Sequence, residues 1–216
     1  SSYDQETKGL NLRTGYEISE HLRHNINYSF VNDNISNVDP TASTYIKQQQ
    51  GKNVTSTIGH DLFWDYRDSA IDPKNGYSFR FSQDYAGLGG DFTYLKHDVS
   101  AAYYQPLTEE AEWLLVLSSN GGIVKGIGDD VPINARYFIG GQSFRGFDRS
   151  GIGPRDKATK DALGGNIYYV GSAETTFPLG LPEDLGISGA LFTDVGSLWD
   201  IDGSKAGISD SSGVRA

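Results

Sequence analysis

Tyr77-Ser78-Phe79-Arg80-Phe81-Ser82-Gln83-Asp84-Tyr85 alternates throughout. Tyr77, Phe79, Phe81 and Tyr85 fall on one face, and Ser78, Arg80, Ser82 and Asp84 on the other. A period of two is that of a β-strand, whose successive side chains point to opposite faces. Aromatic rings opposite charged groups describe a sheet with one apolar side and one wet side. The same rhythm extends both ways. Upstream, Lys8 to Ile18 puts Leu10, Leu12, Thr14, Tyr16 and Ile18 in step, and Leu22 to Val31 follows after the turn Ser19-Glu20-His21. Asn32 to Asn53 is polar, contains Pro40 and reads as a long loop, and a third strand covers Val54 to Tyr66. Downstream, Ala86 to Asp91 is a Gly-rich connection, Phe92 to Leu107 a fifth strand, and Trp113 to about Gly122 a sixth, with irregular extension to Tyr137. Gly165 to Phe177 and Leu185 to Leu198 are the seventh and eighth, joined by Pro178 to Asp184.

Long polar connections alternate with short turns, and the expected strands run roughly nine to fifteen residues. That layout predicts an all-β fold, an antiparallel transmembrane β-barrel, partial, with about eight strands. A soluble β-sandwich is the competing architecture, but it calls for shorter strands with polar outer faces. The composition agrees with the barrel. Hydrophobic residues make up 37% of the 216, aromatics 12%, and there are 27 Gly. The longest notable apolar run is Trp113 to Leu117, far short of the roughly 18–20 residues of a membrane helix. A net charge of −10 argues against a nucleic-acid surface, and the lack of Cys excludes disulfides.

A second stretch asks for a partner. Phe138-Ile-Gly-Gly-Gln-Ser-Phe144-Arg145-Gly146-Phe147-Asp148 sets a guanidinium between two Phe rings and leads into a Gly-rich tail reaching Gly165. Arginine presents a planar fork of donors suited to carboxylates. Alternation supplies two candidates. Glu174 shares a face with Ser172 and Thr176, and Asp194 with Phe192, Ala190 and Ser188. Both acids therefore point away from lipid, where charge is strongly disfavoured. Two arrangements fit: Arg145 folded inward onto both acids, or the acids lining a wet lumen with Arg145 in solvent.

These residues resemble a known family. Ser143-Phe144-Arg145-Gly146-Phe147, followed by Ile152-Gly153-Pro154-Arg155, is similar to the sixth-loop motif of the BamA family of outer-membrane assembly barrels, with Phe144 where Val is more usual. Asp65-Tyr-Arg67-Asp68 followed by Asp72-Pro73-Lys-Asn-Gly76 resembles the family's strand-turn signature. Gly164 to Glu174 and Phe192 to Asp200 resemble the strands after the sixth loop. The resemblance implies that Arg145 docks inside the barrel on Glu174 and Asp194. It implies a bacterial outer-membrane protein that folds and inserts other β-barrels without enzymatic chemistry or cofactor. Expected partners are outer-membrane lipid, unfolded barrel substrates and periplasmic lipoprotein subunits, with no nucleic acid. Residues 1–216 would form part of one barrel domain, matching about strands six to thirteen of sixteen, without the POTRA domains or the first and last barrel strands.

Other classes stay open. A two-partner secretion transporter or a TamA-like factor belongs to the same superfamily, and a passive porin shares the fold. His21, His24, His60 and His97 lack metal-ligand spacing. Asp200-Ile-Asp202-Gly203-Ser204 departs from a calcium loop and reads as an acidic outer loop. Gly126-Ile-Gly128 and Gly151-Ile-Gly153 lack a phosphate-loop Lys, and no Gly-x-Ser-x-Gly elbow occurs. Asn27-Tyr-Ser, Asn34-Ile-Ser and Asn53-Val-Thr match the glycosylation pattern by chance in such a setting.

Overall fold

The computed structural model describes residues 4–48, 50–110, 112–180, 185, 187–202, 207–209 and 213–216. Eight strands form one antiparallel sheet: β1 (Asp4–Ser19), β2 (Leu22–Ser36), β3 (Gly51–Asp65), β4 (Gly76–Gly90), β5 (Tyr94–Pro106), β6 (Leu114–Gly126), β8 (Ile167–Pro178) and β9 (Ser188–Trp199). Each pairs with its neighbours in chain order, and the sheet is open, with β1 and β9 at its edges. Arg215 adds a two-way backbone bridge to Gly196 on the β9 edge. A small second sheet joins β7 (Arg155–Asp156) to β10 (Ile208–Ser209), and α1 (Thr44–Lys47) is a single helical turn.

The sheet has two chemically distinct faces. Leu10, Leu12, Ile26, Phe30, Ile58, Val99, Leu117 and Tyr169 stand exposed on one. Placing such a row against hydrocarbon satisfies them, while each strand between β1 and β9 is paired along both of its sides. The opposite face carries Asp61, which accepts from Asn25 Nδ2 at 2.9 Å, Arg80 Nη1 at 2.8 Å and Arg13 Nη2 at 3.3 Å. The segment between β6 and β8 packs on this charged side: Lys96 Nζ on β5 donates to the Ala135 carbonyl at 3.3 Å. The charged face is therefore the barrel interior.

Several strands outrun their sequence-based limits. The expected loop over Asn32–Asn53 is reduced to residues 37–50, because β2 and β3 stay paired out to Ile35 and Gly51. The expected Gly-rich connection over Ala86–Asp91 is also strand as far as Gly90. Gly90 has φ of +117°, and a Cβ there would lie 2.6 Å from the Val54 carbonyl oxygen, so glycine lets β4 continue past a register shift opposite Thr55 and Thr57. β6 extends to Gly126. Its Gly122 leaves room for Tyr137, whose hydroxyl would be 2.5 Å from an added Cβ. Strands of 12–16 residues exceed the roughly 9–11 that cross a bilayer, so their ends stand clear of hydrocarbon. The expected eighth strand, β9 here, begins at Ser188, not Leu185. Residues 181–184 of the preceding turn, and Gly203 and Ser204 of the acidic stretch, lie outside the described residues.

Among the described residues, the buried apolar clusters lie around the β6–β8 connection. Ile139, Phe144, Ile152, Val170 and Leu198 make one cluster, Val124, Val131 and Ala135 a second, and Leu163, Ile201 and Ile208 a third.

Candidate functional site

Residues 127–166 connect β6 to β8 and fold back over the interior face. Local backbone chemistry shapes this segment. Gly140 adopts φ of +142°, and a Cβ there would lie 2.0 Å from the Asp148 carbonyl oxygen, so no other residue fits without movement. Gly141 N–H donates to the Phe147 carbonyl at 2.9 Å, and Gly151 N–H to that of Asp148 at 2.7 Å. These bonds close a compact turn, with Gly146 at φ of +87° near its tip. The turn sends Phe144 and Phe147 to one side and Arg145 to the other. The two rings stack, with centroids 4.7 Å apart, and Phe144 is fully buried against Val170, Leu198, Ile139 and Ile152.

This corrects one expectation. The guanidinium does not sit between Phe144 and Phe147, because those rings stack on each other. Instead it lies over Phe192 of β9, 3.6 Å from the ring centroid.

Arg145 reaches both acids. Its backbone N–H and Nε donate to Asp194 Oδ2 at 3.0 and 2.9 Å, and Nη2 donates to Oδ1 at 2.7 Å. Nη1 contacts Glu174 Oε2. Nη2 also donates to Ser172 Oγ at 2.7 Å, and that hydroxyl donates to Asp194 Oδ1 at the same distance. Register explains the convergence. Ser172 pairs directly with Asp194 across β8 and β9, and Glu174 with Phe192, so four interior side chains form a square beneath one guanidinium. The Asp194 side chain is only 6% exposed, whereas those of Glu174 and Arg145 are 31% exposed. One cation against two carboxylates leaves the cluster formally negative.

Alternation puts Ser172 and Phe192 on the interior face but gives them no contact with Arg145. Their signal was register, which no single strand displays. Asp65, Arg67, Asp68, Pro73 and Gly76 lie elsewhere, at the turn between β3 and β4. There Arg67 grips Asp65 with two parallel bonds of 2.7 and 2.8 Å, and Asp68 accepts Lys74 N–H at 3.0 Å. Gly76 has φ of +103°, with an added Cβ 2.1 Å from the Tyr66 carbonyl oxygen. Pro73 sits in the same exposed turn. The described residues hold no group of three or more His, Asp and Glu suited to a metal ion.

An antiparallel sheet with an apolar outer face, a charged inner face and a long loop folded inside defines the wall of an outer-membrane β-barrel. The particular family follows from comparison: the chain belongs to the Omp85 superfamily, whose domain model matches residues 1–216. It is 34% identical over 214 residues to the outer membrane protein assembly factor BamA of Neorickettsia risticii (strain Illinois), covering 99% of this chain and 29% of that protein. It is 32% identical over 197 residues to sorting and assembly machinery component 50 homolog A of Xenopus laevis, covering 89% and 41% respectively. The crystal structure of BamA from Haemophilus ducreyi lacking POTRA domains 1-3 matches with a TM-score of 0.79 over 92% of this chain and 42% of that one; at 21% identity this shows the shared fold. The chain thus spans less than half the length of these relatives. Its place is the bacterial outer membrane.

Proposed function

We propose that this chain is part of the wall of a barrel that folds and inserts other β-barrels into the outer membrane, without enzymatic chemistry. The observation that carries the reading is Arg145 held against Glu174, Ser172, Phe192 and Asp194 by a loop whose apolar side is buried on the same wall. A brace of this kind stiffens β8 and β9, leaving strain and opening to another part of the barrel. The eight strands correspond to about strands six to thirteen of a sixteen-stranded barrel that follows POTRA domains. Its partners are unfolded barrel chains, outer-membrane lipid and periplasmic lipoproteins of an assembly complex.

The test is reconstitution of the full-length parent in lipid vesicles with an unfolded barrel substrate. Faster substrate folding than in empty vesicles supports the reading. A two-partner secretion or TamA-like relative would instead require its own cargo. A porin would show a large steady conductance, unchanged by deletion of residues 142–163, and no acceleration of folding.

A further inference from the structure

The lipid-facing side of the sheet carries a feature unrelated to the Arg145 cluster. Tyr16, His24, His60, Gln83 and His97 project from β1 to β5 in unbroken succession. All have the parity of Ile26, Ile58, Leu62 and Leu95, and the opposite parity to Asp61, Arg80 and Lys96 on the interior face. The register aligns them: Tyr16 opposite His24, His60 opposite Gln83 and Gln83 opposite His97, with His24 one step diagonal from His60. Tyr16 Oη lies 3.0 Å from His24 Nδ1. His24 Nε2 lies 3.3 Å from His60 Nδ1, His60 Nε2 3.3 Å from Gln83 Oε1, and Gln83 Nε2 3.3 Å from His97 Nδ1. The His97 ring also stacks on Phe81.

The donor assignment follows from the Gln83 amide, placed with its oxygen toward His60 and its nitrogen toward His97. A Gln amide oxygen only accepts, so His60 Nε2 donates. A neutral His60 then accepts at Nδ1, which makes His24 Nε2 a donor and His24 Nδ1 the acceptor of the Tyr16 hydroxyl. On the other side the Gln83 amide N–H donates to His97 Nδ1. Every link thus points the same way when each imidazole carries its single proton on Nε2. In hydrocarbon an unpaired polar group is costly, and this row pairs both ring nitrogens of His24 and His60 and one of His97. A second proton on His60 sets N–H against the N–H of His24, and one on His97 sets N–H against the Gln83 amide. It also adds charge to a face whose neighbouring titratable or charged side chains are Tyr28, Tyr85 and Lys125, none of which supplies a negative charge at neutral pH.

We propose that Tyr16, His24, His60, Gln83 and His97 form a proton-sensitive strap on the lipid face, adding a row of side-chain bonds across β1 to β5 while its imidazoles are neutral and losing that row on acidification. The strap stabilises the wall at neutral pH and is lost as pH falls and the rings gain protons. It is independent of the assembly function.

The test uses the full-length parent in lipid bilayers with histidine labelled for nitrogen NMR, at about pH 7.5 and about pH 5. Single His→Gln variants assign the signals, and His21, which bonds to the Asp65 carbonyl in the β1–β2 turn region, is the internal control. At the higher pH, His24, His60 and His97 should all be Nε2–H tautomers. Any of the three found as Nδ1–H, or already charged, overturns the assignment. In parallel, the unfolding midpoint of the parent should fall at the lower pH. The triple variant His24→Gln/His60→Gln/His97→Gln, which can donate and accept but not titrate, should lose most of that fall. An equal fall in the triple variant overturns the proposal. If the triple variant does not fold, the tautomers of the parent decide.

Discussion

Asp194→Asn should destabilise the barrel more than Glu174→Gln, although each removes one negative charge from the same guanidinium. Asp194 accepts three bonds from Arg145, two of them from the fork, and its side chain is 6% exposed. Glu174 meets Nη1 alone and is 31% exposed. A charge-assisted hydrogen bond contributes about 1.5–3 kcal/mol when shielded from water. An ion pair open to solvent contributes about 0–1 kcal/mol. Removing Glu174's charge also relieves its repulsion with Asp194, leaving one cation and one anion. The Arg145–Asp194 coupling should therefore be about 2–3 kcal/mol, and the Arg145–Glu174 coupling about 1 kcal/mol or less. Two double-mutant cycles built on Arg145→Ala measure both, read as unfolding free energies of the full-length parent in lipid. Equal couplings, or a larger one for Glu174, would refute the reasoning, because the number of bonds and the burial would then not set the energy.

Three further outcomes follow from the same geometry. Phe192→Leu keeps an apolar side chain but removes the ring beneath the guanidinium, and should weaken the docked loop by about 0.5–2 kcal/mol, measurable as faster hydrogen exchange at Arg145 N–H. Gly140→Ala forces a side chain into a φ of +142° and against the Asp148 carbonyl oxygen, and should cost the loop about 1–3 kcal/mol, seen as earlier protease cleavage between β6 and β8. Asp156, at the loop tip, accepts N–H groups from Thr159 and Ala158 and the Ser43 hydroxyl at 2.9 Å. The Thr159 N–H foremost, then Ser43, hold its carboxyl below the usual carboxylate range. A depressed folded-state pKa contributes stability above the unfolded value and loses it as pH falls. Proteolysis of residues 37–50 should therefore accelerate below about pH 4, and Asp156→Asn should flatten that dependence.

How much was legible in the sequence differs between the wall and the loop. Period-two patterning located all eight long strands, because one face meets lipid and the other water along most of each. It failed at the ends, where both faces are wet. Asn32 to Ser36 are strand by backbone pairing, and Gly87 to Gly90 continue β4 through its register shift, with no alternation to announce either. Alternation put Glu174 and Asp194 on the interior face, since parity needs only one strand. Ser172 and Phe192 as contacts needed the register between two strands, which sequence order does not reveal. The orientation of Phe144 and Phe147 depended on φ at Gly146, a turn that reverses their expected relation to Arg145. The histidine row was invisible for the same reason as Ser172: its members are strands apart, and only pairing sets them in line.

In the function proposed above, Arg145 braces the wall opposite the part of the barrel that opens. A charge exchange in the full-length parent tests it most directly, by the rate at which an unfolded barrel substrate folds into vesicles. Arg145→Glu sets a third carboxylate against Glu174 and Asp194 and should slow substrate folding strongly; adding Glu174→Arg or Asp194→Arg should restore part of the rate. Normal substrate folding by Arg145→Glu alone would rule out the brace.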